Sequence, residues 1–126
     1  MLCGALLCAG PAAAQALSPM TETVVTGADR AALRVTVRNP GLRRMRLVLS
    51  AYEADWSPLP GAEATRGTLD LAASAEAAIL VTVPMNGASR RDFRVCVTSM
   101  PDETGVGSQV VRGQVCGRYA AWRHRP

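Results

Sequence analysis

An all-β sandwich is the fold class this sequence predicts, and three observations predict it. Short runs in which apolar and polar residues alternate recur along the chain, turn residues separate them, and no stretch after the first 16 residues sustains a helical period. The composition agrees: 48% hydrophobic residues suit a folded domain, while only 4% aromatics leave the core to Ala, Val and Leu. A length of 126 residues and a net charge of +4 fit one domain and exclude a multidomain enzyme, a polytopic membrane protein and a disordered tail.

Residues 1–16 carry no charge, are rich in Leu, Ala and Cys, and end Ala14-Gln15-Ala16, small residues at the positions a signal peptidase reads. They are predicted to be a secretory signal peptide cut after Ala16, with the sandwich domain at residues 17–126; the alternative is a buried apolar N-terminal segment. Gly10 and Pro11 interrupt the run, which is shorter than the ~20 residues a membrane span needs, so no transmembrane segment is expected after cleavage. The expected location is periplasmic or secreted. Cys3 and Cys8 leave with the signal, and the pair that stays, Cys96 and Cys116, is expected to form a disulfide in an oxidising compartment.

Seven strands follow in order. Residues 21–26 are a short polar–apolar run ended by Gly27-Ala28-Asp29. In residues 31–38, Leu33, Val35 and Val37 point one way and Arg34, Thr36 and Arg38 the other, before Asn39-Pro40-Gly41 turns the chain. Residues 45–52 put Met45, Leu47, Leu49 and Ala51 on one face, and Ser57-Pro58-Leu59-Pro60-Gly61 then precludes regular structure. Residues 68–71 form a fourth strand, and the Ala-rich stretch at 71–78 is compatible with one helical turn. Residues 77–83 form a fifth, ended by Pro84 and the turn at Asn86-Gly87. Phe93, Val95 and Val97 alternate with Arg94, Cys96 and Thr98 in the sixth, and residues 110–119 make the seventh. Seven short strands in one small domain are the pattern of an immunoglobulin-like β-sandwich.

The cysteines sharpen the last hairpin. Cys96 shares parity with Arg94 and Thr98, and Cys116 with Arg112, Gln114 and Arg118, so both lie on the polar side. Their midpoint, Val106, sits inside Thr104-Gly105-Val106-Gly107-Ser108, a turn that places the two directly opposite each other on the outer face. The same register pairs Phe93 with Tyr119 and Val97 with Val115 on the inner face.

Taken together, these segments resemble the PapD-like periplasmic pilus chaperones, in particular their N-terminal domain. Residues 33–41, Leu-Arg-Val-Thr-Val-Arg-Asn-Pro-Gly, look like that family's second strand and turn; Met45-Arg46-Leu47-Val48-Leu49 with Asp55-Trp56 resembles the third strand and its end. The tail is similar as well: Arg91-Asp92-Phe93-Arg94-Val95, then Met100-Pro101, then a strand closing on Tyr119 and Arg125-Pro126. The resemblance implies a protein-binding module that pairs an exposed strand edge with an extended segment of a pilin-like or other surface subunit. In the family two basic residues, on the first and last strands, hold a partner's terminal carboxylate. Here the first strand, residues 21–26, has no basic residue, and Arg118 stands near the matching place on the last. The family has two sandwich domains, where this sequence has length for one, and its last strand carries bulky alternating residues where this one has Gly113 and Gly117.

The expected partner-binding residues are therefore on the last strand, taken as an edge: Arg112 and Arg118 for a partner carboxylate, and Val111, Val115 and Tyr119 on the inner parity. The alternative is a structural or adhesive subunit of a surface assembly. No enzyme, cofactor or metal site is expected. Glu53 and Asp55 read as a solvated strand end, His124 is the lone histidine, and Met20, Met45, Met85 and Met100 are spread one per segment. All 14 basic residues are arginine and most strand arginines are on the outward parity, which serves ordinary solubility or an acidic partner. Few aromatics and export argue against nucleic acid. Trp56, before Ser57-Pro58, is read as a plug at the sandwich edge, and residues 122–125 as a tail or the end of the last strand.

Overall fold

The computed structural model describes residues 16–100 and 113–124. They form nine strands: β1 (Leu17–Ser18), β2 (Thr21–Thr26), β3 (Arg30–Arg38), β4 (Met45–Glu53), β5 (Glu63–Ala64), β6 (Thr68–Leu71), β7 (Glu76–Pro84), β8 (Arg90–Met100) and β9 (Gln114–Arg123). One sheet has the order β1-β3-β7-β5, the other β2-β9-β8-β4-β6. The seven expected strands are all present; β1 and β5 are additional. Each is two residues long, too short for alternation to register in the sequence. The stretch at 71–78 is not helical: β6 ends at Leu71, Ser74 adopts φ 64° in the turn, and β7 starts at Glu76.

The inner faces are those the alternation indicates. Leu33, Val35 and Val37 of β3, Ile79, Val81 and Val83 of β7, and Phe93, Val95 and Val97 of β8 are all at most 3% exposed and meet in one core. β3 and β7 pair antiparallel over their whole length, Arg30 opposite Pro84 and Arg38 opposite Glu76, so the first sheet is a long two-stranded ribbon with short additions at each side.

Asn39 explains how the β3–β4 turn is fixed. It is fully buried, its Nδ2 donates to the carbonyls of Arg43 (2.8 Å), Leu71 (2.9 Å) and Ala72 (3.2 Å), and its Oδ1 accepts from Gly41 N–H (2.8 Å). One side chain thus ties the turn to the end of β6. Asn39→Ala leaves those carbonyls without partners and is expected to cost about 2 kcal/mol, read as a shift of the urea midpoint at constant slope.

Candidate functional site

β1 and β2 are one extended segment that changes sheets. β1 pairs antiparallel with β3 in the first sheet, while β2 pairs parallel with β9 in the second, from Thr21 opposite Arg118 to Thr26 opposite Arg123. Pro19 stands at the switch, where it has no N–H to leave unpaired. The Tyr119 hydroxyl donates to the Pro19 carbonyl at 2.7 Å and pins the crossing from the core side.

The switch leaves part of β9 uncovered. β9 is bordered by β8 on one side and β2 on the other, so it is not an edge strand along its length as the sequence suggests. β2 nevertheless begins only opposite Arg118. Along β9 and at its two ends, Arg118 N–H donates to Met20 O and His124 N–H to Thr26 O, both 2.8 Å, whereas on the opposite side Gly113 O accepts from Ser99 N–H. Even-numbered residues therefore direct their backbone groups away from β8. Gln114 and Cys116 point their N–H and C=O the same way, and among the described residues no strand lies there. The open edge is thus the first half of β9.

The cysteines meet as the register requires. Cys96 and Cys116 are Cα partners 4.0 Å apart and form a disulfide across 20 residues, with Phe93 opposite Tyr119 and Val97 opposite Val115. They occupy a non-hydrogen-bonded pair, where opposed side chains approach most closely. The bridge is on the outer parity, yet Cys96 is fully buried beneath it. It closes the hairpin beside the open edge.

The other expected site residues separate. Val111 and Arg112 lie outside the described residues. Val115 is half-buried against the core, and Tyr119 is 3% exposed with its ring 5.7 Å from Phe93. Both support the strand from within, because the facing sheet fills the inner side. What β9 offers to the outside is its backbone edge and, on the outer face, exposed Arg118.

Burial, with the charge of Glu22 nearby, pushes the Tyr119 hydroxyl up to about 12. An unfolded chain ionises this group near pH ~10, so between ~10 and 12 the unfolded state sheds a proton that the native state keeps. Stability is expected to fall with rising pH in that window and to be unaffected by this group below it. Tyr119→Phe removes the fall, which urea titrations across the window detect.

The outer face carries features the sequence does not disclose. Arg94 and Arg118 are directly opposed on β8 and β9, and Tyr52 of β4 is the next Cα partner in the row. Trp56 is 51% exposed rather than plugging the edge; the Arg94 guanidinium lies over its ring at 4.3 Å. The turn explains this: Trp56 adopts φ 72°, its N–H donates to Glu53 O, and Asp55 Oδ1 takes the N–H and hydroxyl of Ser57. Two hydrogen bonds from Ser57 hold the Asp55 carboxyl below its ordinary value. Arg90 stacks in the same way on Trp122, 4.8 Å from the ring centroid, and Trp122 belongs to the strand and not to a tail.

Glu53 and Asp55 do not form a pair. Glu53 receives Arg91 Nη2 at 3.0 and 3.1 Å on its two oxygens, with Arg91 13% exposed. The sequence signal was available: Arg91 shares the inner parity of Phe93 and is the second residue of β8. Among the described residues no group of three or more His, Cys, Asp or Glu is placed to hold a metal ion, and no helix is long and apolar enough to cross a membrane.

No family model matches the chain, and no curated protein sequence matches it. Solved structures do. The complex of the Salmonella enterica SafA pilin with the SafB chaperone superposes with a TM-score of 0.67 at 20% identity, over 85% of this chain and 53% of that one. The E. coli chaperone DraB matches with a TM-score of 0.68 at 16% identity, over 85% and 54%, and the periplasmic chaperone SfaE with 0.64 at 12%, over 86% and 57%. The fold is that of the pilus chaperones. At these identities the likeness concerns the fold, and the chain spans about half the length of the chaperones it matches. The pilus-chaperone fold is the architecture that positions the partly uncovered last strand and the arginines beside it.

Proposed function

We propose that this chain is a PapD-like, export-directed binding module that takes an extended segment of a protein partner along the open half of β9, in the periplasm or outside the cell. The observation that carries the reading is the step in the second sheet: β2 covers β9 from Arg118 onward and leaves the backbone groups of Gln114 and Cys116 directed outward. A strand added there extends the sheet and gains main-chain hydrogen bonds without displacing any described strand. Arg118, exposed at the end of the open stretch, is placed for a carboxylate of that segment, and Arg112 is the second arginine assigned to it. The pilus chaperones that share the fold support a pilin-like or other surface subunit as the partner, since one of them is seen with a pilin and another with a tip adhesin. The signal peptide at residues 1–16 and the domain at residues 17–126 belong to this reading.

The test is pull-down with crosslinking from cell-envelope extract, comparing wild type with Arg112→Ala, Arg118→Ala and Gln114→Pro. Proline at 114 removes an outward N–H that has no partner among the described residues, so the fold remains while strand addition is blocked. Loss of the same crosslinked species in Gln114→Pro, and weakening in the arginine variants, is expected. If all three retain the full set of partners, the edge reading is wrong.

A further inference from the structure

We infer that a cleft entering the core between β4 and β5 binds a small uncharged molecule that has a ring-sized apolar body and one hydroxyl. The cleft is on the opposite flank of the second sheet from β2 and is independent of any partner strand at β9. It originates in the way the chain crosses between the sheets. β6 borders β4 only as far as Val48, opposite Thr68. Leu49 N–H still reaches Gly67 O at 2.9 Å, but Thr65 N–H already donates to Leu80 O, and Ala64 pairs with Val81 of the other sheet. At the far end Pro58 bridges Tyr52, and Leu59 N–H donates to Ala51 O at 3.2 Å. Between these two approaches no described strand borders β4, and the sandwich is open.

Small side chains keep it open. The walls include Leu49, Ala51, Ala62 and Ala64, and the floor is Val81 and Val95, core residues only 3% and 1% exposed. Leu47, on the same face of β4, is fully buried, whereas Leu49 and Ala51 are half-buried. A Cβ added at Gly67 meets nothing within 4 Å. The cavity volume is about 210 Å3. An apolar cavity of ~150 Å3 holds benzene, so this one takes a six-membered ring and a short substituent.

The mouth specifies that substituent. Leu49 N–H and Ala51 O are bonded on the side away from β8, so the odd residues of β4 direct both their backbone groups that way. Leu49 C=O and Ala51 N–H therefore face the opening on either side of Ser50, and among the described residues no hydrogen bond takes either. One hydroxyl serves both, accepting from Ala51 N–H and donating to Leu49 O. Glu63 stands at the rim with its side chain 77% exposed, 3.9 Å from the Arg30 guanidinium. Its negative charge, and the apolar floor, disfavour an anion. An alcohol or phenol is assigned, and a carboxylate is not.

The test uses the intact protein with benzyl alcohol as the probe, following the methyl signals of Leu49, Val81 and Val95 and the Ala51 amide by NMR. Toluene and sodium benzoate are the comparisons. Saturable shifts confined to these groups are expected, with a dissociation constant on the order of millimolar for so small a ligand. Benzyl alcohol should shift the Ala51 amide and slow its exchange, whereas toluene moves the methyls and leaves that amide unchanged. Benzoate should bind at least about tenfold more weakly, because its charge enters an apolar site beside Glu63. Ala62→Leu and Ala64→Leu each fill the cleft and are expected to weaken benzyl alcohol at least about tenfold, since either side chain takes up most of the space a ring needs. The comparison of the three probes on the wild type decides the matter even where a filled variant is unstable. Shifts that do not saturate, an Ala51 amide that answers toluene as it answers benzyl alcohol, benzoate bound as tightly as the alcohol, or undiminished binding in the filled variants would overturn the site.

Discussion

Gly117→Val is expected to cost about 4 kcal/mol, the sum of overpacking a closed site and losing a buried hydrogen bond. Gly117 is on the inner face of β9, and the Tyr119 side chain folds back over it so that its hydroxyl reaches Pro19 O. A Cβ at 117 runs into that hydroxyl and the ring carbon bearing it, and approaches the Met20 backbone oxygen to 2.9 Å. The ring has nowhere to go, because Phe93 packs on it and only 3% of the residue is exposed. The expected consequence is release of the β1–β2 switch, and hence weaker pairing of β2 with β9. Denaturant titration reads the loss. Tyr119→Phe separates the causes: alone it removes a hydrogen bond and destabilises, but in the Gly117→Ala background it removes the hydroxyl part of the collision while the ring carbon remains, so it costs less there than it does alone. Destabilisation that is the same in both backgrounds contradicts this packing.

Removing the disulfide is the second large effect. Cys96→Ala combined with Cys116→Ala opens a loop closed across 20 residues and is expected to cost about 3 kcal/mol. The loss is also local. Residues 118–122 of β9 are held by both β2 and β8, whereas 114–117 are held, among the described residues, by β8 alone. Amide exchange in the variant is therefore expected to accelerate most in residues 114–117 and least in 118–122. Uniform acceleration along β9 would show that the bridge acts only through global stability. Reduction of the wild-type protein should reproduce the same pattern.

The last hairpin was the most legible part of the molecule. Two cysteines of equal parity with glycines midway between them in the sequence point to one register, and Phe93 with Tyr119 and Val97 with Val115 follow from it. The inner faces of β3, β7 and β8 were legible for a similar reason, since unbroken alternation leaves a single way to bury Leu33, Val35, Val37, Phe93, Val95 and Val97. The pairing of β2 with β9 was not. It is parallel and joins residues 97 positions apart, as Thr21 with Arg118, and no local pattern in residues 21–26 announces which strand they border. That one pairing decides how much of β9 is open: the sequence indicates an edge along the whole strand, whereas β2 borders it from Arg118 onward. Trp56 was read as an interior plug because large aromatics usually are; its outward position depends on a left-handed turn at a residue type that rarely adopts one. The Phe93 parity extends back to Arg91 and aims it at Glu53, with which it pairs.

The central claim is that β9 receives a partner strand at Gln114 and Cys116. Hydrogen exchange at these two backbone amides, compared between the free protein and the protein bound to a partner captured from the cell envelope, addresses it most directly. In the free protein both amides face away from β8 with no partner among the described residues, and they are expected to exchange rapidly. In the complex they should be protected at least about tenfold more, with little change at Arg118, whose N–H already donates to Met20 O. A complex in which Gln114 and Cys116 exchange as fast as in the free protein, while protection arises elsewhere on the surface, would contradict the account.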